Sequence, residues 1–122
     1  MSKKQPSQTL ITRWHGMVEW YVAMNGPVVK GAGQVQFHHV KGRTYMHNKV
    51  HIGEWFILPL PWEYHDVHSN SGLCVTHFPK NFVAEFGKQS ELWKPMVDEI
   101  RGYYRQLPFD QDVIDAVMDT GL

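Results

Sequence analysis

FHHVKGRTYMHNKVHIGEWFILPLPWEYHDVHSNSGLCVTHF, residues 37–78, holds seven of the chain's eight histidines: His38, His39, His47, His51, His65, His68 and His77. Histidine is a poor core residue and no more than a weak surface charge. It is the commonest neutral metal ligand and the usual proton carrier near pH 7. Its concentration in one third of the chain points to a metal-dependent active site there. Val35, Phe37 and His39 alternate with Gln34, Gln36 and His38, which predicts a strand over 34–40 with the two adjacent histidines on opposite faces unless the strand ends there. Residues 55–61, Trp-Phe-Ile-Leu-Pro-Leu-Pro, form an apolar run too short for a typical helix and closed by two prolines, hence a buried strand and a turn. Between them Lys41 to Lys49 reads as a polar loop, so two strands and a long loop frame a cleft.

Outward from this centre the signals become helical. Leu10, Ile11, Trp14, Met17, Val18, Tyr21 and Val22 recur at amphipathic spacing, with Thr9 as a start cap and Asn25-Gly26 as the stop. The single histidine outside the cluster, His15, falls in this helix and is expected to be an ordinary surface or partly buried side chain. Beyond the centre, Trp62 to Gly72 is turn-like. Thr76 caps a helix with Pro79 in its first turn, with Phe78, Phe82, Val83 and Phe86 on one face and Gly87 at its end. Ser90 opens a helix carrying Trp93, Met96, Val97, Ile100 and Tyr104, and Asp110 opens one carrying Val113, Ile114, Val117 and Met118.

Composition bounds the function. A chain of 122 residues, 43% apolar and 13% aromatic, has room for one folded domain. No apolar run reaches the ~20 residues a membrane span needs, and residues 1–9 are polar, so a soluble, cytoplasmic protein is expected. The lone Cys74 excludes an internal disulfide and a cysteine-rich zinc site, and reads as a small buried hydrophobe. Twelve basic and twelve acidic residues cancel, so overall charge does not argue for nucleic acid. Its distribution does more: Lys30, Lys41, Arg43 and Lys49 stand on the histidine side without an acid among them, while Asp98 to Asp119 carries much of the acid.

Strand, loop, strand, helix, with histidines at the corners, is the order a phosphodiester-cleaving metal site uses. Such chemistry needs a deprotonated water and a cation against the charge that develops on phosphorus and the leaving oxygen. One imidazole of the His38-His39 doublet can bind metal while the other addresses the water.

With Phe37-His38-His39-Val40, His47 to Trp55, Leu58 to Pro61, His65-Asp66 and Val75 to Phe78 through Phe86-Gly87 in that order, residues 34–92 resemble the HNH/HHH (ββα-metal) endonuclease superfamily. More narrowly they resemble phage proteins related to the recombination-enhancement, RecA-dependent nuclease. The resemblance implies a ββα-metal (His-Me finger) core over 34–87; with the flanking periodicity this gives the expected α+β fold, one domain over 1–122 with a polar tail 1–9, an N-terminal helix 10–25 and C-terminal helices 90–122. It implies a divalent ion, Zn2+ or Mg2+/Mn2+, held by His38, His65 and either His77 or His68, with His77 preferred. His39 is implied as general base, with His51 or Asn48 at the middle position that orients it. DNA is the implied partner, gripped by Lys41, Arg43 and Lys49, and a recombinase filament a further one. Relatives carry Cys-x-x-Cys pairs where this chain has Pro27 to Lys30 and Pro61 to Tyr64, so aromatic packing by Trp55, Phe56 and Trp62 is expected to replace that zinc. The alternative reading is a non-catalytic DNA-binding or recombinase-associated module stapled by the metal. A small oxygenase is a third, opposed by the flanking Lys and Arg.

Overall fold

In the computed structural model, which describes residues 5–122, an 18-residue helix, α1 (Gln8–Asn25), leads into strand β1 (Val35–His39). A small hairpin follows, β2 (Met46–His47) and β3 (Val50–His51), and then strand β4 (Ile57–Pro61). Four helices complete the chain: α2 (Trp62–His65), α3 (Pro79–Phe86), α4 (Gln89–Tyr104) and α5 (Gln111–Asp119). The general α+β class is as expected. Residues 1–4 of the polar tail, Lys3 and Lys4 among them, lie outside the described residues.

β1 and β4 pair antiparallel, with His38 opposite Leu58 and His39 opposite Ile57. Pro59 and Pro61 sit in a fully buried strand. Proline is tolerated there because β4 has one partner strand and its other edge needs no ladder donor; the Pro59 carbonyl instead accepts from Val28 N at 3.1 Å.

Several boundaries differ from expectation. α1 is capped by Ser7, whose hydroxyl accepts from Leu10 N at 3.3 Å, and not by Thr9, which lies within the first turn. Trp55 and Phe56 precede β4 in a turn, since the amides of both donate to the Ile52 carbonyl. The polar loop contains the β2–β3 hairpin, turned by Asn48 and Lys49 with φ of 52° and 64°, the left-handed geometry that two-residue hairpins require. Polar composition hid this hairpin, because strands this short leave almost no alternation to read. Thr76 caps no helix; its hydroxyl donates to the His65 carbonyl, and α3 starts at Pro79 after Phe78. α4 starts at Gln89 after Lys88, one residue before Ser90.

One hydrophobic core joins the elements. Trp14 of α1, Phe56, β4, Phe82 of α3, Trp93 to Ile100 of α4 and Val113 to Val117 of α5 contribute to it. The Trp55 carbonyl accepts from the indole N–H of both Trp14 and Trp93, each at 3.0 Å, so one backbone oxygen ties α1 and α4 to the turn before β4. Trp55 and Phe56 are buried as expected, whereas Trp62 is exposed on α2. Cys74 is buried. No helix among the described residues is long and apolar enough to cross a membrane.

Candidate functional site

The alternation of β1 sorts its side chains onto two faces. Gln36, His38 and Val40 line a cleft of about 840 Å³. Its other walls include His65, Asp66 and Val67 after β4, Thr76, and Gln89 at the start of α4. The rings of His38 and His65 stand 5.0 Å apart between centroids.

Hydrogen bonds set how these rings present their nitrogens. Asp66 Oδ2 accepts from Gln36 Nε2 at 2.8 Å, which turns the Gln36 carbonyl oxygen toward His65 Nδ1 at 2.7 Å. A carboxylate only accepts, so the amide orientation follows: His65 donates its Nδ1–H and keeps a lone pair on Nε2. His38 Nε2 donates likewise to Gln89 Oε1 at 3.0 Å, leaving its lone pair on Nδ1. Burial, and then the neighbouring His65, push the His38 pKa down to about 4, and burial lowers that of His65. Both rings are therefore neutral near pH 7. Asp66 is held below the usual carboxylate range first by the Gln36 hydrogen bond and then by the His68 amide.

His77 is exposed and donates Nε2–H to the Val67 carbonyl at 2.7 Å, beside the cleft rather than among its lining side chains. Its rival His68 is also exposed, and its backbone N–H donates to Asp66 Oδ1 at 2.9 Å. Lys41 lines the cleft, with Nζ 5.8 Å over the Tyr45 ring. Lys49 is exposed at the hairpin turn, and Arg43 donates to Glu54 Oε1 at 3.2 Å.

His39 faces the other way. It and Phe37 pack toward His15 of α1, with ring centroids 6.1 and 5.5 Å from it. His39 Nε2 is buried without a hydrogen-bond partner, and Glu54 Oε1 lies 3.6 Å away. Burial first, and then the Arg43 charge, lower the His39 pKa to about 4. The expectation that His15 stands apart from the histidine cluster is corrected here: helix packing brings it against His39 and Phe37, and its Nε2 is buried without a partner. His51 lies on β3 with a buried, unpartnered Nδ1 and lines no part of the cleft. His47 is taken up by Asp119 at 2.9 Å, which Asn48 also contacts at 3.1 Å, so the acidic end of α5 reaches the hairpin.

The structure thus brings His38 and His65 together and separates His39 from them by the thickness of the strand. Gln36, Asp66 and Gln89 are site residues that the histidine pattern did not reveal. Gln36 carried a signal, being two positions before His38 on one strand; Gln89, fifty-one residues downstream, carried none. No protein-family model, curated protein or solved structure matches the chain.

Proposed function

We propose that the cleft is the metal centre of a DNA endonuclease of the ββα-metal kind, with His38 and His65 as ligands and His77 as the third. The observation that supports this reading is the shared state of the three rings. Each donates one N–H to an oxygen, of Gln89, Gln36 or Val67 respectively, and in the neutral rings of His38 and His65 the other nitrogen keeps its lone pair. Metal-bound histidines almost always have this arrangement, because the second hydrogen bond sets the tautomer and the ring orientation. A divalent ion held there, Zn2+ or Mg2+/Mn2+, would acidify a bound water and offset the charge that develops on a phosphodiester. Lys41 stands in the cleft to meet a phosphate, with Arg43 and Lys49 along the same loop. His39, the expected base, is behind β1, so the proposal rests on the other three histidines. The same site serves the alternative, a metal-stapled DNA-binding module.

Nicking of supercoiled plasmid by the purified protein separates them. With Mg2+, Mn2+ or Zn2+ supplied, cleavage is expected that a chelator abolishes, and His65→Ala should lower it by ~10² or more, as loss of a metal ligand does at the least. A parent protein that binds DNA but nicks none in any of the three metals overturns the endonuclease reading and leaves the stapled module.

A further inference from the structure

We propose that His15, His39 and Glu54 form a second metal site, for a transition ion of the zinc type, on the face of β1 opposite the cleft. One ligand atom from each of the three residues lies within 4.8 Å of the other two. His39 Nε2 and Glu54 Oε1 are already 3.6 Å apart. Bonds of about 2.0–2.2 Å in a tetrahedron put donor atoms roughly 3.3–3.6 Å from one another. One edge of the site is therefore at ligand spacing, and closing the rest takes side-chain shifts of about 1 Å.

The second observation is the pair of orphaned nitrogens. Nε2 of His15 and Nε2 of His39 are both buried with no hydrogen-bond partner. A buried polar atom left unpaired is uncommon in a folded protein and destabilises it. Two of them, beside one buried carboxylate, are answered together by one cation. The cleft histidines differ in this respect, since each already has an oxygen partner.

The residues come from α1, from β1 and from the turn before β4, so the core itself assembles them. Two imidazoles and one carboxylate suit zinc or cobalt better than magnesium or calcium, which favour oxygen-rich shells. Arg43 opposes the ion: its guanidinium donates to Glu54 Oε1 at 3.2 Å. Its side chain is 60% exposed, however, and can withdraw into solvent when the carboxylate turns to a metal.

Metal-free protein titrated with Co2+ tests this, read by bound-metal analysis and by the visible cobalt spectrum. His38→Ala/His65→Ala should keep one equivalent. His15→Ala and the isosteric Glu54→Gln should lose it, with affinity falling by more than the ~10–100-fold that loss of an outer partner costs. Arg43→Ala should tighten it. Glu54→Gln gives the answer if His15→Ala fails to fold. Failure of the cleft reading looks different: the parent then binds one equivalent, which His15→Ala removes and His38→Ala/His65→Ala retains. Equal cobalt binding by the parent and Glu54→Gln, as a bridging water in place of an ion would give, overturns the second site.

Discussion

His38 and His39 are neighbours in the chain and strangers in the fold, yet burial drives the pKa of each down to about 4. The consequence for stability has a definite sign. An unfolded histidine takes up its proton near 6.5, whereas these folded ones stay neutral until about pH 4. Between those values the unfolded chain binds more protons, so the stability these rings contribute is complete above pH 6.5 and is lost as pH falls toward 4. In metal-free buffer the urea midpoint should therefore drop from pH 6.5 to 4.5. In His38→Gln the unfolding free energy should lose its pH dependence by about one proton's worth, ~1.4 kcal/mol per pH unit at most. A His38→Gln profile parallel to that of the parent would show that His38 titrates normally in the folded state.

At the scale of elements, the segment from Lys41 to Phe56 carries both the basic residues and Glu54, and one close approach holds its shape. The amides of Ile52 and Gly53 both donate to the Tyr45 carbonyl, at 3.1 and 3.0 Å. That packs Gly53 onto the backbone of Gly42 and Arg43 so tightly that a Cβ there would collide with both carbonyl oxygens. Gly53 is needed for this contact and not for an unusual φ. Gly53→Ala must push the two halves of the segment apart and pull Arg43 from Glu54. We expect a loss of about 1–3 kcal/mol, the usual range for an overpacked site, together with faster hydrogen exchange at the Ile52 amide. A variant as stable as the parent would mean that the segment yields freely.

Over the whole molecule, the Trp55 carbonyl is where distant parts meet, because Trp14 and Trp93, both fully buried, donate to it. Replacing either indole by a smaller ring removes a buried donor and leaves space behind. Trp93→Phe should destabilise by roughly 1–3 kcal/mol, the range for lost buried hydrogen bonds and partial cavities. Because α1 and α4 share that oxygen, the loss should appear as one cooperative transition shifted to lower urea, with no early melting of α4 alone. A biphasic transition would show that α4 unfolds as a separate unit.

What could be read directly from the chain was whatever rests on local periodicity. The α1 stripe, the alternation over 34–40, the apolar run at 55–61 and the glycine stops at Gly26 and Gly87 all express side-chain spacing or the left-handed φ glycine accepts; they hold in the fold, with the two strands trimmed to 35–39 and 57–61. Alternation alone also allowed opposite faces for His38 and His39. Tertiary structure decided what each face meets. Gln89 comes to His38 from fifty-one residues away, His15 to His39 from α1, and Asp119 to His47 from the far end of the chain. Such contacts leave no trace in spacing, because they are set by how α1, α4 and α5 pack on the shared core. A histidine's lone pair is chosen by whichever oxygen that packing delivers to its other nitrogen.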